Sequence, residues 1–239
     1  MAFSFFKSKF WRYVKKICLY AFLSSLIYVV VCKWVMPPVT ITQISALLSG
    51  DGLKRDYINY TSISSNAKIA AIAAEDQLFA THNGFDWNAL QKSLSGDGNY
   101  GKGAGASTIS QQTAKNVFLW QGEGVMRYIR KVPEFYFTFL IELIWGKERI
   151  LEVYLNVIEM GKGIYGIEAA AQSYFKKSAA LLSKAEAAQI IACLPNPKVY
   201  TVKPKSRFVG WKSAWIQRQM NNISGDAAVQ QLLIKETKK

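Results

Sequence analysis

From Ile17 to Cys32 the chain runs through apolar and small residues without a single charge, and Trp34-Val35-Met36 extend the run beyond Lys33. With the Lys33 stem lying along the apolar surface, the segment is about 20 residues long, the length a helix needs to cross a bilayer. Hydrocarbon leaves a backbone no partner but itself, so such a stretch can only be helical. Lys7, Lys9, Arg12, Lys15 and Lys16 precede it, with Trp11 and Tyr13 at interface depth. The excess of positive charge on that side predicts a cytoplasmic N-terminus and an exported body. Pro37-Pro38 follows where a cleavable leader would carry a small-residue site, so the segment is expected to remain as an anchor. The expected organisation is a basic tail at 1–16, an anchor at 17–36, a connecting region at 37–65, a helical domain at 66–222, and a C-terminal helix and tail at 223–239.

Beyond the anchor the charge balance matters. The net charge is +14, from 30 basic and 16 acidic residues, and no acid precedes Asp51. The body is therefore basic as well. Such a field draws nucleic acid, anionic lipid or phosphorylated substrates, and does not choose among them. Cys18 and Cys32 fall in the apolar segment and Cys193 stands alone outside it, which excludes a disulfide framework and a cysteine-built metal site.

The body opens with an Ala/Ile-rich helical run, Asn66 to Ala74, ending in Glu75-Asp76. At 100° per residue both acids flank Ile72 and Phe79 falls between them, so an acidic pair projects from the apolar face. A carboxylate placed there is partly desolvated, its pKa rises, and it can accept or hold a proton near neutral pH. Equally, the helix could end here and leave both acids in water. His82, the only histidine, follows before a turn at Asn83-Gly84.

A short helix is expected over 86–94. Residues 95–105 hold five glycines and predict a mobile loop, placed as a lid would be. The next helix starts near Thr108, which stands at capping-box spacing from Gln111. Thr108, Gln112 and Lys115 share one face of it, and a lysine near a helix N-terminus is placed to hold an anion; the plainer reading is a solvated polar face. Arg127, Arg130, Lys131 and Glu134 then lead into the apolar run Phe135 to Trp145, too short to span a membrane and read as a buried central helix that begins near Pro133. Gly161-Lys162-Gly163-Ile164-Tyr165-Gly166 has the spacing of a dinucleotide loop. A helix opened by Ser183 and Glu186 follows where a second parallel strand would be required, so these glycines are read as a close helix joint. A helix over 208–220 and a last one capped by Asp226 complete an all-α pattern.

Taken in order, several motifs resemble one family. They are Glu75-Asp76-x-x-Phe79-x-x-His82-x-Gly84-Phe85, Gly105-x-Ser107-Thr108-Ile109-Ser110-Gln111-Gln112, Arg130-Lys131-x-x-Glu134, Arg149-Ile150-Leu151-Glu152-x-Tyr154-Leu155-Asn156, and Leu182-x-x-x-Glu186-Ala187-Ala188 running up to Leu194-Pro195-Asn196-Pro197. Together they resemble the peptidoglycan glycosyltransferases, the lysozyme-like family that polymerises lipid II. The resemblance covers about residues 55–220, and the anchor makes the chain similar to the monofunctional biosynthetic transglycosylases. Three positions depart from the family's usual pattern: Ser110 in place of threonine, Met126 where an arginine is more frequent with Arg127 one place later, and Pro133 directly before Glu134.

The resemblance implies a lysozyme-like all-α domain with one transmembrane helix, and it implies roles. Glu75 matches the general base that deprotonates the acceptor's 4-hydroxyl, and Glu134 the second essential glutamate. Lys115, Arg130 and Lys131 match the cations that offset charge on a departing lipid pyrophosphate. Thr108, Gln112 and Asn116 match polar ligands around the donor, with Asp76 and Phe79 also expected at the substrate. His82 is expected to be structural. Direct displacement implies inversion, from an α-linked donor to a β-1,4 glycan. The implied partners are lipid II, the growing glycan chain, membrane lipid, and other cell-wall synthesis and division proteins, with no nucleic acid. No cofactor is required, a divalent cation such as Mg²⁺ is compatible with the chemistry, and no metal-ligand cluster is expected. The implied location is the inner membrane, single-pass, with the catalytic domain in the periplasm. Two other readings stand beside this one: a lytic muramidase that cleaves glycan, and a non-catalytic anchored scaffold.

Overall fold

The computed structural model describes residues 2–95, 107–122 and 124–233, and the chain divides into two compact units, Met1–Met36 and Pro37–Lys239. The first unit is one helix, α1 (Ala2–Cys32), whose segment Phe10–Cys32 has a mean hydropathy of 1.8 and is long and apolar enough to cross a membrane. It takes in the basic tail and stops at Cys32. Lys33 and Trp34 form a turn, with the Lys33 ammonium 5.5 Å from the Trp34 ring.

The second unit is built from helices α2 (Ile41–Leu48), α3 (Ser65–Glu75), α4 (Trp87–Ser95), α5 (Ile109–Phe118), α6 (Val125–Ile144), α7 (Lys147–Val157), α8 (Ile167–Phe175), α9 (Lys184–Ala192), α10 (Arg207–Ile223) and α11 (Ala227–Leu233). The expectation of a mainly helical body holds. Two short 3₁₀ turns, at Tyr60–Ser62 and Ala179–Leu181, and three short strands complete it.

Helix α3 sits in the core because its side chains are small. Ala67, Ala70, Ala71 and Ala73 are fully buried, as is Ile72, and they let α9 and α10 pack closely against it. Helix α9 answers with Ala187, Ala188, Ile190 and Ile191, all fully buried. On the other side α5 packs between α6 and α7. The caps expected from sequence are present: Thr108 with Gln111 opens α5, and Ser183 with Glu186 opens α9. Asp226 Oδ1 accepts the Ala228 and Val229 amides at the start of α11.

The stretch 37–65, expected as a connection, belongs to the folded body. A capping box between Thr40 and Gln43 opens α2. Strand β1 (Lys54–Arg55) pairs in parallel with β3 (Ile164–Tyr165), which pairs antiparallel with β2 (Glu159–Gly161). Asn156 grips Ile58 at both backbone groups, accepting its N–H and donating to its C=O at 2.9 Å each. The Tyr60 amide donates to Glu152 at 2.6 Å. The Thr40–Gln43 box is a local signal of α2, but strands of two or three residues have no sequence period, so the order beyond α2 shows through these distant side chains.

Helix α6 departs from its sequence reading in two ways. It begins at Val125, so Pro133 lies inside it and Glu134 is not at its N-terminus. The proline has no N–H to give the Ile129 carbonyl one turn back. Nor is the helix buried on all sides: Val125, Tyr128, Ile129, Val132, Phe139 and Leu143 are exposed, while Leu140 and Ile141 face the core. The glycines after α7 do serve close approach. A Cβ on Gly163 would collide with the Asp51 carbonyl, and one on Gly166 would lie 2.5 Å from the Asn156 oxygen. The loop expected over 95–105 lies, from residue 96, outside the described residues.

Candidate active site

The polypeptide turns sharply after Glu75, and this separates the acidic pair that the helical projection keeps together. Glu75 is the last residue of α3, while Asp76 has φ −164° and ψ 81° and points elsewhere. The Asp76 carboxylate is buried. Its Oδ2 accepts the Ile109 amide at 2.9 Å, and its two oxygens lie 2.9 and 3.0 Å from His82 Nε2. His82 Nδ1 accepts the Gly84 amide at 3.1 Å, so the proton of a neutral ring is on Nε2 and points at Asp76. Asp76 thus ties the end of α3 to the start of α5, where a negative charge also meets the positive end of the helix dipole.

Asp76 is expected at the substrate from sequence, and its partners make it a clamp instead. Phe79 is expected there too, but it is fully buried, edge-on to His82 and 4.6 Å from the Lys147 ammonium. His82, expected to be structural, bridges the Asp76 carboxylate and the Gly84 amide.

Glu75 reaches the surface in part, yet the atoms packed round its carboxylate desolvate it and push its pKa up. The Asp76 charge adds to that. Gln112 Nε2 donates to Glu75 Oε2 at 2.8 Å, and together with the Lys212 and Lys115 ammonium groups it opposes the rise. The balance leaves a carboxylate with more proton affinity than one in water, which suits a general base.

The second carboxylate sits among cations. Glu134 is buried; Lys131 Nζ is 2.5 Å from its Oε1 and Arg130 Nε 3.7 Å from its Oε2. Arg130 also donates to the Trp120 carbonyl at 2.9 Å, and Lys131 to Ser107 Oγ at 3.4 Å. Among the described residues, Arg130 Nε and Glu134 Oε2 are buried without a hydrogen-bond partner. A buried donor and acceptor left so cost free energy, and they are suited to groups that a ligand brings.

Lys115 joins the two carboxylates electrostatically. Burial lowers its pKa first, Arg130 and Lys131 lower it further, and Glu134 and Glu75 oppose them. Three cations against Glu134 leave this corner positive, a field fitted to a polyanion. Arg127 is exposed at the first turn of α6.

Two of the residues expected at the donor have mainly internal work. Thr108 is buried, caps α5 and donates to the Gly84 carbonyl at 2.6 Å. Asn116 is buried, donates to the Gln112 carbonyl at 2.9 Å and accepts from Gln121 at 3.5 Å. Gln112 acts on Glu75.

Lys212 on α10 is not foreseen by the sequence. It is partly buried, which lowers its pKa, while Glu75 opposes that shift; its ammonium lies 3.8 Å from the Trp215 ring centre. Nothing in the local pattern Trp211-Lys212-Ser213-Ala214-Trp215 sets this lysine apart from a solvated one. Among the described residues no group of three carboxylate, imidazole or thiol side chains is arranged to hold a metal ion.

Residues 41–221 match the family model described as Transglycosylase. Over 227 residues the chain is 43% identical to a biosynthetic peptidoglycan transglycosylase of Pseudomonas syringae pv. tomato, covering 92% of this chain and 95% of that protein. A protein of the same name from Xylella fastidiosa is 41% identical over 224 residues, 91% of each chain. Another from Aeromonas hydrophila is 45% identical over 212 residues, 87% of this chain and 89% of its own length.

Proposed function

The chain belongs to the transglycosylase family, and we propose that it is a peptidoglycan glycosyltransferase that polymerises lipid II into β-1,4 glycan strands. What supports this most is the pairing of a desolvated carboxylate, Glu75, with a separate cationic corner around Glu134. Transfer from a lipid pyrophosphate needs both. A base must take the proton of the acceptor's 4-hydroxyl as that oxygen attacks the anomeric carbon of the growing chain. Cations must take up charge on the departing phosphate oxygens.

In the reaction proposed, Glu75 accepts that proton, held for it by Gln112. Lys115, Arg130 and Lys131 face the leaving pyrophosphate. Glu134 aligns Arg130 and Lys131, whose charges would otherwise repel each other. The C–O bond to pyrophosphate breaks as the new glycosidic bond forms on the opposite face, so the α-linked donor becomes a β-linked product with no glycosyl-enzyme. Each cation aimed at developing charge is expected to contribute on the order of 10²-fold in rate. The leaving-group role is assigned to the three cations in this reading; a divalent ion such as Mg²⁺ is compatible with it, and polymerisation with and without a chelator tests the dependence.

The substrate and its product are borne by lipid, which fits a chain with an N-terminal helix able to cross a membrane. The orientation proposed is N-terminus in the cytoplasm and catalytic unit in the periplasm, at the inner membrane. The exposed apolar side chains of α6, with Trp87, are proposed to face the bilayer. Other cell-wall synthesis and division proteins are the partners such a polymerase would serve.

Labelled lipid II incubated with the purified full chain in detergent tests the reading. Glycan polymer supports it. Cleavage of preformed glycan without polymerisation would identify a muramidase instead, and neither product would point to a scaffold.

A further inference from the structure

Glu75 is held by an amide, and an amide has two faces. Gln112 can present its N–H₂ group to the carboxylate, or it can turn over and present its oxygen. The first arrangement stabilises the charged carboxylate that a base must be. The second stabilises the protonated acid. Something has to choose between them.

We propose that Tyr154 makes that choice: its hydroxyl, on α7, fixes the amide of Gln112 on α5 so that Gln112 always donates to Glu75 at the end of α3. The Tyr154 hydroxyl donates to Gln112 Oε1 at 3.3 Å, and Gln112 Nε2 donates to Glu75 Oε2 at 2.8 Å. Tyr154 is fully buried, and burial raises its pKa well above the ordinary phenol value, so its proton stays in place over the working range. A turned amide would donate to the phenol oxygen instead, which takes from the buried Tyr154 O–H the acceptor it has in Gln112, and would set the amide's own oxygen beside a carboxylate oxygen. Both changes cost free energy. Tyr154 is a positioning residue, not a catalytic one, because it acts through Gln112. This role rests on the reading of Glu75 as the general base.

The other groups facing Glu75 stay as they are when the phenol hydroxyl is removed. Asp76 raises its pKa from the adjoining residue; Lys115 on α5 and Lys212 on α10 lower it. The Cys193 thiol, just past α9, also feels Glu75, but burial pushes it up to about 12, and it is uncharged near neutrality. A change in Glu75 titration on losing the Tyr154 hydroxyl therefore reports on the amide.

The experiment compares full-length wild type, Tyr154→Phe, Tyr154→Met, Gln112→Met and the Tyr154→Phe/Gln112→Met double variant. Two readouts are taken: the pH profile of lipid II polymerisation, and the titration of the Glu75 carboxyl by infrared difference against Glu75→Gln. Losing an amide N–H bond to a carboxylate is worth about one pKa unit. Both Tyr154 variants are thus expected to move the acid limb, and the infrared titration, upward by about one unit, which is about tenfold in rate on that limb. KM and the rate at the alkaline plateau should change less than about threefold. In the Gln112→Met background the Tyr154→Phe change should shift nothing further.

Superimposable profiles overturn the proposal. So does a loss of rate that is uniform across pH, or an equal shift when Gln112 is already gone. The infrared titration needs no substrate, so it decides the Tyr154 role even if wild type makes no polymer, the result that would defeat the glycosyltransferase reading.

Discussion

Lys131 Nζ stands 2.5 Å from Glu134 Oε1, one turn earlier on the same helix. Glu134 is buried and Lys131 is about one-third exposed, so the lysine can reach a ligand while the glutamate fixes its direction. With Arg130 on its other oxygen, Glu134 is poorly placed to take a proton from substrate and well placed to hold two cations side by side. Glu134→Gln keeps the shape and removes that charge. Turnover is expected to fall by on the order of 10²-fold, and steady-state kinetics with lipid II would measure it. A Glu134→Gln enzyme as fast as wild type would mean that the cations need no such alignment.

Asp76 gives a stability prediction rather than a catalytic one. Asp76→Ala deprives the Ile109 amide and the His82 ring of their partner at the joint between α3 and α5. A loss of about 2–4 kcal/mol is expected, and thermal melting should show a Tm lower by roughly 5–15 °C. Full stability together with a raised KM would instead return Asp76 to the substrate site, where its motif alone would put it.

The raised pKa of Glu75 fixes two signs. As a base it must be ionised, so polymerisation should fall on acidification through a midpoint above the ordinary glutamate value of 4.5. For stability the sign is opposite. A carboxyl whose folded pKa lies above its unfolded one contributes most at low pH, and that contribution is lost as pH rises through the folded pKa. Glu75→Gln should therefore melt above wild type at neutral pH, with the advantage shrinking in acid. Melting curves at several pH values check this, and a variant less stable than wild type at neutral pH would contradict it.

The α6 surface offers a membrane test. Trp87 and the exposed Val132, Phe139 and Leu143 side chains would meet acyl chains if this face rests on the bilayer. Fluorescence of the full chain in nanodiscs, with the other six tryptophans replaced by phenylalanine, should be quenched by brominated lipid. Trp87 emission indifferent to brominated lipid would remove this face from the membrane.

Much of the helical order is legible because helices leave a period and caps leave a signature. Thr108 with Gln111, Ser183 with Glu186 and the alanine run of α3 can all be read directly. Glu75, Lys115, Arg130, Lys131 and Glu134 are legible as a set through the order of their motifs. Their division of labour is not. Projecting 75 and 76 on one helix pairs two carboxylates that a single non-helical residue sends in different directions. Pro133 looks like a start signal, yet α6 begins eight residues earlier, since packing against α5 can hold a helix through a missing N–H. Within 37–65 the box that opens α2 is local, but Ile58 and Tyr60 are held by Asn156 and Glu152, about a hundred residues away, and Lys212 meets Glu75 only through the packing of α10 on α3. Contacts of that range leave no local trace.

The central claim is that Glu75 is the base for glycan polymerisation. It is tested most directly by initial rates of labelled lipid II polymerisation for wild type and Glu75→Gln, both shown folded by melting. A base that contributes the usual 10²–10⁴-fold predicts a rate at least about a hundredfold lower in the variant. A Glu75→Gln protein that polymerises lipid II at the wild-type rate would contradict the claim.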